Sequence, residues 1–96
     1  MILEIITPEN HIFKGDVNAI QLPGLDGSFQ VLKGHAPIIS GLTQGTVKVE
    51  LSSPFEGDEK TSELIEKDNT NSKVIHVTIK GGVIELLNDK VIVLAE

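Results

Sequence analysis

Two stretches of strict two-residue alternation constrain this chain more than any other feature. Residues 46–51 read Thr-Val-Lys-Val-Glu-Leu, placing Val47, Val49 and Leu51 on one side and Thr46, Lys48 and Glu50 on the other. Residues 74–80 repeat the pattern, with Ile75, Val77 and Ile79 set against His76, Thr78 and Lys80. Helical geometry would scatter such positions around a cylinder, whereas successive strand residues point to opposite faces. The spacing therefore predicts strands with one face in a core and one in solvent. Shorter runs rich in β-branched residues cover 2–6, 17–22, 28–32, 83–87 and 91–94. Each is bounded by turn residues: Asn88-Asp89 suits a hairpin that tolerates positive φ, and Gly81-Gly82 suits a tight turn or close backbone approach. Seven or so short strands predict an all-β sandwich or barrel.

The 96 residues are enough for one domain. The composition, 40% hydrophobic and 23% charged, is that of a folded chain rather than a disordered one. Cysteine is absent, which removes disulfides and thiolate metal sites and fits a reducing compartment. Arginine is absent too: eight lysines face 14 acids, for a formal charge of −6. Such a chain repels nucleic acid and anionic lipid. No apolar run approaches the ~20 residues that span a bilayer. The opening Met1-Ile2-Leu3-Glu4 lacks the basic and apolar regions of a signal peptide, so a cytoplasmic location is expected.

Two segments interrupt the strand pattern. Residues 52–73 are polar and hold six of the 14 acids. A connection of that length is uncommon in a compact domain. It reads as a solvated excursion between two paired strands, with a short helical turn at 63–67 where Glu63 and Lys67 have i,i+4 spacing. The second interruption is the tight loop Gly34-His35-Ala36-Pro37.

Little in the chain points to catalysis. His11 follows the turn Pro8-Glu9-Asn10 and reads as a loop residue, and His76 reads as an exposed strand position. No nucleophile elbow, P-loop or dinucleotide fingerprint occurs. Gly24-Leu25-Asp26-Gly27 lacks the lysine and helix of a phosphate cradle and reads as a β-turn, where Asp26, like Asp89, stabilises backbone geometry. Three Phe and no Trp or Tyr make poor stacking platforms for bases. By elimination the chain is an interaction domain that works through its surface.

More specific strings carry a resemblance. Leu3-Glu4-Ile5-Ile6-Thr7-Pro8-Glu9, Phe13-Lys14-Gly15-Asp16-Val17, Leu22-Pro23-Gly24-Leu25-Asp26-Gly27 and Val31-Leu32-Lys33-Gly34-His35-Ala36-Pro37 follow one another in order. Gly81-Gly82 then precedes Asn88-Asp89-Lys90-Val91-Ile92-Val93-Leu94-Ala95. Together they resemble the epsilon subunit of F-type ATP synthase over nearly all of residues 1–51 and 74–96. The resemblance implies a two-sheet β-sandwich of about ten strands, with short pieces added near residues 10–14 and 38–43. It implies a non-catalytic rotor subunit with no cofactor or bound metal. Such a subunit clamps the gamma subunit, rests on the c ring and turns with them at the cytoplasmic face of the membrane.

Residue by residue, Thr7, His35 and Ser40 match positions that the family uses against gamma. Leu25, Asp26 and Ser28 match the loop that meets the c ring. Gly24, Gly27, Gly34, Pro37, Gly81 and Gly82 shape the turns. From spacing alone, His35 in its tight loop also reads as a cap on local backbone groups, and both roles can hold. The family often has an acid where Ser28 stands, a glycine at Gln30 and a proline at Lys33, so the c-ring contact is expected to rest on Asp26 or on backbone groups. Segment 52–73 is longer and more acidic than the family's hairpin and reads as a surface insertion, with contact to a lysine-rich partner as the alternative. The family usually continues into a two-helix hairpin, which in many members inhibits ATP hydrolysis and in some binds ATP. This sequence stops at Glu96, where that hairpin would begin, so such regulation is not expected. Two rival classes are a lipoyl- or biotinyl-type carrier with Lys90 at a hairpin tip, and an enzyme on a small β-barrel. Against the carrier, the two halves show no quasi-repeat.

Overall fold

The alternating segments form the middle of one of two packed sheets. A computed structural model describes residues 1–57 and 62–96. Among them are nine strands and no helix: β1 (Ile2–Ile6), β2 (His11–Gly24), β3 (Gly27–Leu32), β4 (Ile38–Leu42), β5 (Gly45–Leu51), β6 (Ile65–Lys67), β7 (Val74–Ile79), β8 (Gly82–Leu87) and β9 (Lys90–Ala95).

The 14-residue β2 belongs to both layers. Its first half pairs antiparallel with β1, which continues through β9 and β8 to β4. Its second half lies between β3 and β5, and β5 continues through β7 to β6. We name these layers sheet I (β2, β1, β9, β8, β4) and sheet II (β3, β2, β5, β7, β6). A single bridge, Gly24 opposite Leu42, brings β4 back to the end of β2. The register of β2 against β5 shifts between Val17 and Ala19. Such bulges add bend and twist, and this one lies where β2 passes between the layers.

The inward sets meet as the alternation requires. Val47 faces Val77, and Val49 lies between Ile20 and Ile75. Leu3, Ile5, Leu22, Val31, Ile84, Val91 and Val93 close the same core, all fully buried. No charged or polar residue is buried with them among the described residues. The core is therefore an apolar slab, whose stability comes from area removed from water at roughly 25 cal/mol per Å².

Three local readings change. β2 begins at His11, not at residue 17, because Lys14, Gly15 and Asp16 disguise a strand that crosses from one layer to the other. His11 therefore opens a strand instead of sitting in a loop. Residues 65–67 are a strand paired with β7, not part of a helical turn. Ile65 packs against the core, and that burial outweighs the few tenths of a kcal/mol of an i,i+4 ion pair. Residues 58–61 of the same segment lie outside the described residues. The expected hairpin at Asn88-Asp89 is present, with φ of 51° and 62°. Gly27, Gly34, Gly81 and Gly82 also have positive φ, whereas Gly24 does not.

Candidate subunit interface

The outer faces of the two sheets differ in chemistry. On sheet II the outward positions of β5 and β7 are Thr46, Lys48, Glu50, His76 and Thr78, joined by Gln21, Gln30 and Glu66 from neighbouring strands. On sheet I the outward positions across β4, β8, β9 and β1 are mostly aliphatic. One row runs Ile39, Glu85, Ile92, Glu4; the next runs Gly41, Val83, Leu94, Ile6; a third runs Leu87, Lys90, Ile2. Ile39 is 76% exposed, Leu87 52% and Leu94 51%. Seven aliphatic side chains thus share a surface with three charges, a patch of the kind that marks an interaction site.

The sequence carried a signal for this face. Val83-Ile84 and Leu86-Leu87, then Val91-Ile92-Val93-Leu94, are apolar at both parities. Near-continuous apolar strands are those covered on both faces. Here the inner face is covered by sheet II and the outer face is bare.

The residues matched to gamma frame this sheet. Thr7 follows the end of β1, and its hydroxyl helps close the β1–β2 turn by accepting from the Asn10 amide at 3.0 Å. His35 precedes the start of β4. Since β4 and β1 run the same way, these two lie at diagonally opposite corners of sheet I. The His35 ring is exposed, and its Nδ1 donates to the Ala36 carbonyl at 2.7 Å, the local cap that its spacing suggested. Ser40 lies opposite Ile84 on the inward register of β4 and is half-buried.

The residues matched to the c ring form a hairpin tip. Gly24 pairs with Gly27, leaving Leu25-Asp26 as a two-residue turn. Leu25 is 69% exposed, and the Ser28 hydroxyl accepts from Gln21 Nε2 at 3.1 Å. The tip does not stand alone. One open groove is lined by Leu25, Asp26 and Ser28 together with Ile39, Ser40 and Gly41 of β4. Ser40, matched to gamma, therefore shares a surface with the tip.

Asp68 and His76 form a polar pair that sequence reasoning missed. His76 is half-buried, and its Nε2 donates to Asp68 Oδ1 at 2.9 Å. Asp68 Oδ2 accepts from the Thr70 amide and hydroxyl and from the Asn71 amide. These bonds, led by the one from His76, hold the carboxyl well below its ordinary value of 3.8. Register supplies the signal: Glu66 lies opposite His76 and the Asp68 amide donates to the Val74 carbonyl, so Asp68 lies two residues along the same side, diagonal to His76.

The paired sheets agree with known proteins. Residues 1–57 match the family described as "ATP synthase, Delta/Epsilon chain, beta-sandwich domain". An ATP synthase epsilon chain of Chlorobium limicola is 35% identical over 98% of this chain and 86% of its own. One from Chlorobaculum tepidum is 48% identical over 56% of this chain, and one from Campylobacter lari 42% identical over 84%. Each of these two matches spans 61% of the relative's length. A chain of the Euglena gracilis mitochondrial ATP synthase structure, OSCP/F1/c-ring in rotational state 1, shares the fold. Its TM-score is 0.73 at 22% identity, covering 99% of this chain and 49% of that one. A chain of the Tetrahymena thermophila mitochondrial ATP synthase central stalk and c ring gives a TM-score of 0.70 at 13% identity, covering 99% and 62%. With a family match over more than half its length and a relative aligned nearly end to end, this chain belongs to the β-sandwich family of ATP synthase delta/epsilon chains.

Proposed function

We propose that this chain is a non-catalytic rotor subunit of an F-type ATP synthase, gripping gamma through sheet I and meeting the c ring through the β2–β3 tip. One observation carries the reading beyond family membership: the bare aliphatic outer face of β4, β8, β9 and β1. A rotating part needs a partner that does not slip. An apolar face over a rigid two-layer core supplies contact area at little conformational cost. Thr7 and His35 border that face, and together with Ser40, which matches a gamma position and lies in the groove beside the tip, they are the proposed gamma contacts. Leu25, Asp26 and Ser28 form the proposed c-ring contact, on a projecting turn where backbone groups and the Asp26 carboxylate can meet polar loops. The subunit would then be peripheral, held at the cytoplasmic face of the bacterial plasma membrane through its complex. Within segment 52–73, residues 65–67 add β6 to the edge of sheet II, and the segment reads as a surface addition.

The test is co-purification with gamma, followed by cysteine crosslinking from His35→Cys and Ser40→Cys. Crosslinks to gamma from both are expected. Failure at both positions in a folded protein would refute the assignment. The carrier alternative placed a modified lysine at Lys90. Its candidate opens β9 directly after the Asn88-Asp89 turn, but family membership supports the rotor reading instead. An unmodified intact mass from the native source is expected.

A further inference from the structure

The tip hairpin is seated on three glycines. A Cβ at Gly45, the first residue of β5, would lie 2.8 Å from the Pro23 Cβ. A Cβ at Gly41 would lie 2.7 Å from Leu25 Cδ1, and one at Gly24 would lie 2.6 Å from the Gly27 carbonyl and 2.8 Å from the Phe29 ring. Real Cβ atoms do not approach that closely, so Gly24 and Gly45 make room for the Gly27 carbonyl, the Phe29 ring and the Pro23 ring, while the end of the exposed Leu25 side chain lies over Gly41. Two backbone hydrogen bonds tie the same parts together. The Thr43 amide donates to the Pro23 carbonyl at 2.8 Å, and the Leu25 amide donates to the Gly41 carbonyl at 3.3 Å. Gly24 bridges Leu42 between them.

We propose that Gly41 and Gly45 are positioning residues that brace the β2–β3 tip against β4 and β5, making it a rigid tooth instead of a free hairpin. An isolated two-stranded hairpin is marginally stable and yields under load. Here load on Leu25-Asp26 passes through Leu25 into Gly41 and through Pro23 into Gly45. β4 is the strand that carries Ile39 on the apolar face, so the brace joins the two proposed contact surfaces by a path of packed backbone. The inference rests on reading the tip as the c-ring contact, and the two can fail separately.

The brace is tested by native-state hydrogen exchange on the full chain. In Gly41→Val, the Leu25 and Thr43 amides should exchange about tenfold faster, with the β7 and β9 amides unchanged. Leu25→Ala should speed the same amides without adding bulk, which keeps the test open if Gly41→Val fails to fold. The double variant Leu25→Ala/Gly41→Ala should lie closer to wild type than Leu25→Ala alone, because the new methyl fills the vacated space. Unchanged exchange in the single variants, or simple additivity in the double, would overturn the brace. The c-ring reading is tested apart, by crosslinking Asp26→Cys to the c ring in the assembled synthase. If no crosslink forms while the exchange pattern holds, the c-ring reading falls and the brace stands. If the crosslink forms and Gly41→Val leaves exchange unchanged, the brace falls and the contact stands.

Discussion

Asp68 Oδ1 accepts a hydrogen bond from His76 Nε2 at 2.9 Å, joining the end of the 52–73 segment to the middle of β7. Other ties hold the segment's root: Ser52 Oγ donates to Asp16 Oδ2 at 2.9 Å, and the Phe55 amide donates to the Ser72 carbonyl at 2.8 Å. Phe55 packs against the core while the Lys67 ammonium lies 5.7 Å from its ring centre. The described parts of the segment are thus pinned at both ends to sheet II.

This pairing fixes a pH dependence. The Asp68 carboxyl titrates below its ordinary value in the folded chain, so its stabilising effect is complete above that value. The effect drains away as pH falls toward the folded value, because protonation must then break the bonds from His76, Thr70 and Asn71. The gap in urea midpoint between wild type and Asp68→Asn should be widest above about pH 4 and narrow steadily below it. A gap that stays constant from neutral pH into acid would show that the charge contributes nothing.

The core should behave as a close-packed slab. Leu22 is fully buried between the layers. Leu22→Ala should lower stability by about 2–5 kcal/mol through lost burial and the cavity left behind. Urea denaturation followed by far-ultraviolet circular dichroism measures it, and a loss under about 1 kcal/mol would mean that the site collapses freely.

The outer face of sheet I should separate stability from binding. Ile39 is 76% exposed, so Ile39→Asp should change folding stability by no more than about 0.5 kcal/mol. The same variant should weaken gamma binding by about tenfold or more, since a carboxylate would be buried there without a partner. Calorimetric titration with purified gamma decides it, and undiminished affinity would move the grip to another surface.

The β8–β9 hairpin depends on two residues with positive φ. Asn88 has φ of 51°, a conformation that costs a β-branched residue about 1–2 kcal/mol. Asn88→Val should lower the thermal midpoint, whereas Asn88→Gly should leave it nearly unchanged. Equal effects from both variants would point to the asparagine side chain instead of the backbone.

The sequence by itself determined the strand class, the inward faces of 46–51 and 74–80, the Asn88-Asp89 turn and the family. Each of these is written in local periodicity, in turn chemistry or in short ordered strings, and neighbouring residues suffice to read them. It did not reveal the full length of β2, because Lys14, Gly15 and Asp16 lie on a strand that changes layers and so loses a single buried side. It suggested a helical turn at 63–67 where β6 forms, because pairing with β7 and burial of Ile65 are non-local gains that outweigh local spacing. The Asp68–His76 pair and the glycine seats under Pro23 and Leu25 were decided by tertiary structure alone, and so was the bareness of the sheet I face, although the apolar runs 83–87 and 91–94 signal that face in the sequence. Each depends on which strands become neighbours, and cross-strand register brings together residues that no fixed sequence spacing connects.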